Sequence, residues 1–411
     1  MDSNLYLLNT SNFKFRADSI WIDWNKSNSK NSIDKKQIAF ICLQNKNSQL
    51  EVIHPLTDFI FSNWKFSSYN TQRKHALNVT SFLNYIIQNK NTLKINSIKS
   101  LNIIHGEKYL NSLTEEGRSR ETIKDKERTL TLLYNYLSKN NCLPNVTSTF
   151  LNSYTNTEGK IIQISPFSNV IYPNLTSKNI EHTFPLEHLP LLFEIACLVA
   201  KPIVLGLYLQ IFGGLRVGEV VNVKRSSIKY KLNGDSVLVD LKENMFRTDL
   251  KDTNGSNYVK KERKQNVIVL QNWFNQLYDD HLSLYTSKSG ALFVNRDGNA
   301  MSAKSYRQYF QKVKKQFILC LKNSNNINDK LLAHHLNINK WSTHIGRGIF
   351  SNMLAEYAKN PYEIAVPRGD SSLISSLTYL KGTTRITKKI EERLNNMHGS
   401  YIPRLVEENK K

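Results

Sequence analysis

Cysteine is scarce in this chain of 411 residues: Cys42, Cys142, Cys197 and Cys320 lie far apart and never form a CxxC pair. That spacing argues against a zinc ribbon or a disulfide framework and implies reduced, intracellular thiols. Long hydrophobic runs are absent as well. No 18 consecutive apolar residues occur, and the opening "MDSNLYLLNTSNF" has no basic stretch ahead of an apolar one. Neither a membrane span nor a secretory leader is therefore expected, and the protein should be soluble and cytoplasmic. Acidic residues are few, 34 against 56 Lys and Arg, and the resulting +22 is not confined to one tail. A small domain needs a net charge of only about 2 to 8 in magnitude for solubility. The excess points to a polyanionic partner along much of the molecule, most simply nucleic acid. No cluster of metal ligands and no internal repeat is evident, and no cofactor is expected.

What is present organises the chain into segments. With 40% hydrophobic residues, this length can bury two or three cores. Residues 1–60 mix short apolar runs ("SIWIDW", "QIAFICL", "LEVIHPL") with the polar "NKSNSKNSIDKK", and read as a β-containing module or arm. From 61 to 140 the period becomes helical. Val79, Phe82, Leu83 and Ile86 fall at i, i+3, i+4, i+7, as do Leu130, Leu133, Tyr134 and Leu137. Around these two helices stand Arg73, Lys74, Arg118, Arg120, Lys124, Lys126 and Arg128, which read either as DNA contacts or as a solvated face. Residues 141–181, rich in Asn, Ser and Thr with three prolines, read as a linker with room for one strand pair. From 182 to 411 come helical runs, a Gly-Gly break, two strand-like runs ("SVLVDL", "NVIVL"), and more helices ending in a charged helix and tail. The fold class is mainly α with a small antiparallel β-sheet.

Three stretches of this last segment bring together cations, an imidazole and a nucleophile. In "FGGLRVGEVVNVKRSSI" the glycines end one helix and Arg216 begins the next, where free N–H groups favour an anion. Pairing of Arg216 with Glu219 at i, i+3 is an equal alternative. In "STHIGRGIFSNMLAEY" His344 and Arg347 share one helical face at i, i+3. In "GDSSLISSLTYL" Asp370 suits the N-cap of a helix with the stripe Leu373, Leu377, Leu380. Tyr379 lies about 120° from that stripe and so points away from the core.

Arg216, then HxxR ending 131 residues later at Arg347, then Tyr379 a further 32 residues on, resembles the catalytic domain of the tyrosine recombinase (phage integrase) family. "GGLRVGEV" is similar to that family's first-arginine motif, "HIGR" to its HxxR, and "RGDSSLISSLTYL" to its tyrosine segment, with Gly369, Ser371, Leu373 and Tyr379 at matching positions. The resemblance covers 182 to about 390, and 61–140 resembles the family's helical, SAM-like core-binding domain. It implies that Tyr379 attacks a DNA phosphodiester to give a 3′-phosphotyrosyl link, with Arg216 and Arg347 on the phosphate and His344 as base. "VKKERKQNVIVL" resembles the family's lysine hairpin and puts Lys261 at the general acid, with Lys242 and Lys260 as alternatives. Asp370 stands where the family has His or Trp, and is expected to cap its helix and orient His344 or Arg347. The implied partners are double-stranded attachment sites, a homotetramer in the synapse, and accessory DNA-bending or excision proteins. The implied activity is integration or excision of a mobile element through a Holliday junction. A catalytically silent DNA-binding protein and a type IB topoisomerase are the competing readings.

Overall fold

A computed structural model describes residues 12–24, 34–48, 50–146, 152–157, 159, 161–174, 184–230, 236–252, 254–270, 272–339, 341–370 and 373. Two compact units are present, residues 1–178 with 253–255, and residues 179–252 with 256–411. About half of the described residues are helical and the sheets are small and antiparallel, which is the expected class.

In the first unit, β1 (Phe13–Trp24), β2 (Asp34–Asn45) and β3 (Glu51–Ile53) form an antiparallel sheet in that order, with Phe13 opposite Asn45 and Trp24 opposite Asp34. Alternation along β1 and β2 sends Phe15, Ala39 and Ile41 inward. They meet α1 (Thr57–Trp64) and α2 (Tyr69–Gln88). Strand β1 lies at the sheet edge, where unpaired backbone needs a partner. Asn84 of α2 supplies it, accepting from the Phe15 N–H and donating to the Phe15 carbonyl, both at 2.8 Å.

A short α3 (Lys90–Leu93) leads to α4 (Ile103–Glu115) and α5 (Arg120–Lys139). Ser68 and Ser119 cap α2 and α5 by accepting from the N–H groups of Thr71 and Thr122. All eight residues of the two apolar stripes are buried. Between α2 and α5 runs a polar seam. Lys74 Nζ lies 2.7 Å from Asp125, and His75 Nδ1 lies 2.8 Å from Thr129 Oγ1. The strand pair β4 (Ser153–Thr155) and β5 (Ile161–Gln163) follows. Residues 165–174, inside the stretch that reads as a linker, are fastened to α4: the Asn169 N–H donates to Glu107 at 3.0 Å and Thr114 Oγ1 to the Ile171 carbonyl at 2.6 Å.

His75 stacks on Trp64 with ring centroids 3.6 Å apart. Burial, aided by Lys74, pushes its pKa down to about 4. An unfolded chain, with His near 6.5, binds the extra proton between those values, so stability rises with pH across that window. As pH falls from 6.5 to 4 this one group should remove about 3 kcal/mol. Urea unfolding at pH 7 and 4.5, followed by tryptophan fluorescence, checks it: His75→Gln should be markedly less acid-sensitive than the parent chain.

The second unit is built on α7 (Val204–Gly213), buried along its whole length between α6 (Leu189–Val199) and the elements that follow. Those are α8 (Val217–Val221), β6 (Ile228–Tyr230), β7 (Ser236–Leu241) and β8 (Arg263–Ile268). The three strands form an antiparallel sheet in sequence order. Strand β8 begins three residues before the run "NVIVL" that reads as the strand. The reason is the ladder, which pairs Leu241 with Arg263 and Val239 with Gln265 and buries Gln265. Helices α9 (Trp273–Leu284), α10 (Ala303–Asn323), α11 (Ile327–Ile338), α12 (His344–Tyr357) and α13 (Tyr362–Arg368) complete the described part. Among the described residues, no helix is long and apolar enough to cross a membrane.

Candidate active site

Two glycine corners shape the site. Helix α7 ends on left-handed Gly214 (φ 65°), with its N–H bonded to the Gln210 carbonyl at 3.1 Å and the Leu215 N–H to the Leu209 carbonyl at 3.4 Å. This double closure ends the helix and reverses the chain. A Cβ at Gly214 would lie 2.4 Å from the Phe350 ring, so both conformation and space demand glycine. The corner delivers Arg216 to the N-cap of α8. Its own N–H donates to Glu219 at 2.8 Å, and its Nη1 donates to the same carboxylate at 3.1 Å. Pairing with Glu219 is thus present, and Glu219 takes up the N–H group that sequence reasoning offered to an external anion. The second corner, Gly369 (φ 66°), ends α13 in the same way, with the Asp370 N–H on the Ala365 carbonyl at 3.0 Å.

Arg347 joins the two corners. From the first turn of α12 its Nη1 donates to the Gly214 carbonyl at 2.7 Å, and its Nη2 to the Arg368 carbonyl at 3.1 Å and Asp370 Oδ1 at 2.7 Å. Arg216 Nη2 lies 3.5 Å from that Oδ1, and Arg368 Nη2 lies 3.2 Å from Oδ2. Strand β8 adds Arg263, whose two terminal nitrogens grip Glu219 at 2.7 and 3.1 Å. Gln265, two residues on, donates to the Pro367 carbonyl at 2.6 Å.

Four guanidinium groups therefore meet two carboxylates, leaving a surplus of two positive charges. Burial would raise the pKa of Glu219, but Arg263 and Arg216 hold it below the ordinary carboxylate range. Burial, reinforced by Arg216 and Arg368, lowers Arg347 to about 10, which keeps it a cation at neutral pH. Arg347 and Arg368 are each 6% exposed, whereas Arg216 is 23% exposed and is the guanidinium most open to an incoming anion. Planar forks in such an array suit the oxygens of a phosphate.

The fold carries the comparison with solved structures. XerH site-specific recombinase bound to palindromic difH substrate is similar over 80% of each chain, at 18% identity and TM-score 0.52. The Tn1549 transposon integrase in complex with circular intermediate DNA is similar over 82% of this chain and 98% of its own, at 15% and 0.52. A lambda integrase dimer bound to a COC′ core site is similar over 79% and 92%, at 10% and 0.50. This chain has the tyrosine recombinase fold. No protein-family model and no curated protein matches it.

Within the tyrosine recombinase fold, Arg216, Arg347 and Asp370 come together, and an ion pair of 2.7 Å joins Asp370 to Arg347. His344 opens α12 one turn before Arg347 and is exposed. Tyr379 lies outside the described residues, as does the helix that Asp370 was expected to cap. Lys242 and Lys261 flank the base of the hairpin, just beyond the Leu241–Arg263 pair. Both are exposed, as is Lys260; Lys242 sits 3.3 Å from Asp240, and the Lys261 carbonyl accepts from Arg263 at 3.2 Å. The long connection between the strands is pinned rather than loose: the Asn244 N–H donates to Asn222 Oδ1 at 3.0 Å, and the Ala303 N–H to Asn257 at 2.7 Å.

In the first unit, Lys74 is bound to Asp125 and Arg118 to Glu116 at 3.2 Å, while Arg120 and Lys124 lie over the Tyr172 ring. Arg73 lines an open cavity of about 400 Å³ together with Lys14 and Arg16. Arg120, Lys124 and Arg128 follow one another at i, i+4, i+8 on α5, with Arg128 exposed. Three features escaped sequence reasoning. Arg263 and Arg368 reach the site only through tertiary structure. The exposed Lys304, Arg307, Lys312 and Lys315 of α10 were missed although their spacing beside an apolar stripe is a signal that could have found them.

Proposed function

We propose that this chain is a tyrosine recombinase, a site-specific enzyme that cuts and rejoins double-stranded DNA through a 3′-phosphotyrosyl intermediate. The observation that carries the reading is the convergence of Arg216 and Arg347, with a surplus of positive charge, on the corner that leads into the segment containing Tyr379. In the reaction the Tyr379 hydroxyl oxygen bonds to phosphorus, the bond from phosphorus to the 5′-oxygen breaks, and the phosphodiester energy is stored for rejoining. Ionising a tyrosine with a pKa near 10 at pH 7 costs about 4 kcal/mol. His344 takes that proton. Arg216 and Arg347 neutralise the charge that builds on the phosphate.

The leaving 5′-oxygen takes its proton from Lys261. Lys261→Ala should lower cleavage of ordinary DNA at least about 100-fold. It should recover on a 5′-bridging phosphorothiolate, whose thiolate leaves without a proton. Recovery confined to Lys242→Ala or Lys260→Ala would move the role to that residue.

Basic stripes on α5 and α10 supply the sequence-independent grip on DNA, so affinity should fall steeply with salt. Recombination proceeds by paired exchanges in a homotetramer that passes through a Holliday junction, and serves integration or excision of a mobile element with accessory DNA-bending proteins. The test is a pool of nicked suicide duplexes of randomised sequence. A covalent protein–DNA adduct on a denaturing gel is expected, lost in Tyr379→Phe. Asp370 among the arginines favours a second reading, a silent DNA-binding protein, which binds the pool and forms no adduct. Relaxation of supercoiled DNA without recombination would mark a topoisomerase.

A further inference from the structure

The geometry points to Asp370 as a built-in occupant of the phosphate site: its carboxylate holds Arg216, Arg347 and Arg368 in the absence of DNA, and an incoming phosphate displaces it, making Arg368 a third phosphate-binding guanidinium. This inference rests on the recombinase reading for the identity of the phosphate, though not for the binding itself.

The two carboxylates of the cluster differ in kind. Glu219 is fully buried and is gripped by Arg263 and by both the backbone and the side chain of Arg216. That arrangement is permanent scaffolding. Asp370 instead stands at the end of α13, directly after the left-handed Gly369, and makes ion pairs with three arginines from three elements, one oxygen on Arg347 and Arg216 and the other on Arg368. A phosphate facing the same three guanidinium groups would satisfy them with its own oxygens. Both anions cannot stay. At about 4 Å and an effective dielectric near 20, their repulsion would weaken phosphate binding by roughly a thousandfold. Without either anion, Arg347 and Arg368 would lose their carboxylate partner and face Arg216 with Glu219 as the remaining counter-charge, which gives the chain a reason to carry its own anion.

Arg368 and Asp370 act as a matched pair around Gly369. Rotation of the Asp370 carboxylate away from the cluster breaks its 3.2 Å pair with Arg368 Nη2, and a phosphate held by Arg216 and Arg347 would take the place of that carboxylate. A merely structural aspartate, set to hold Arg347 in place, would do so with DNA bound or absent.

The test uses the full chain and inorganic phosphate, read by thermal unfolding against chloride at matched ionic strength. Asp370→Asn should melt lower than the parent chain in chloride and regain most of the loss in phosphate, with an apparent phosphate affinity at least about tenfold above that of the parent. Asp370→Ser serves where the asparagine variant does not fold in chloride, because refolding on addition of phosphate is itself the predicted response. Arg368→Gln introduced into Asp370→Asn should remove the gain. Melting of Asp370→Asn that phosphate does not restore, or a phosphate affinity equal to the parent's, would overturn the inference. Restoration by phosphate with no covalent DNA adduct in any variant would leave the displaceable anion standing and sink the recombinase reading alone.

Discussion

Arg347→Lys should cut the rate of covalent adduct formation on suicide DNA by at least about 100-fold while leaving non-covalent DNA affinity within a few-fold of the parent chain. The asymmetry follows from the shape of the group. Arg347 divides its donors among the Gly214 carbonyl, the Arg368 carbonyl and Asp370, and so fixes the two glycine corners against each other. Lysine keeps the charge, which is what long-range attraction to DNA reads, but a single ammonium cannot span three acceptors in a plane. Arg347→Ala should lose the same chemistry and in addition destabilise the second unit, because two buried carbonyls would be stranded. Fluorescence anisotropy with DNA and adduct kinetics, run side by side, separate the two effects. Equal losses of affinity and cleavage in the lysine variant would make Arg347 a mere charge.

Glu219→Gln should be the most destabilising conservative change in the second unit. The carboxylate is completely buried and balances Arg216 and Arg263, whose separate elements, α8 and β8, it joins. Breaking a buried ion pair by removing one partner costs about 3 to 5 kcal/mol, because the remaining charges stay buried and unbalanced. The glutamine amide would also turn donor groups toward one of the arginines. The folded pKa of Glu219 is held low, so its contribution is present above the unfolded carboxylate range and disappears as pH falls below it. The parent chain should therefore lose stability in acid in a step that the variant lacks. Calorimetric melting stepped downward from pH 7 through the carboxylate range measures the loss and shows it shrinking as pH falls toward the depressed folded pKa.

The helical stripes were legible because their period is local. Val79 to Ile86 and Leu130 to Leu137 are buried as their spacing requires. The Gly213–Gly214 break marked the helix start at Arg216, and the HxxR spacing put His344 and Arg347 on the first turns of one helix, which is where α8 and α12 hold them. Arg263 and Arg368 were not, since nothing local distinguishes a strand arginine from any other basic residue of a Lys-rich hairpin, and Arg368 reaches Asp370 only because Gly369 turns left-handed. The start of β8 was missed for a related reason. Its first residues, Arg263, Lys264 and Gln265, are polar, and only pairing with β7 makes them strand. Residues 165–174 looked like linker because a single buried aromatic, Phe167, and polar bonds to Glu107 and Thr114 fasten them, and one apolar anchor sets no period.

The central claim is that the arginine cluster exists to serve Tyr379. Trypsin cuts after Arg368 and Lys381, so one peptide, Gly369–Lys381, carries that tyrosine and no other. Covalent complexes trapped on nicked suicide DNA should be digested with nuclease and trypsin and sequenced by mass spectrometry. A nucleotide remnant on Tyr379 in that peptide is the predicted result. A remnant on any other residue, or no covalent complex from a folded protein that binds the same DNA, would contradict it.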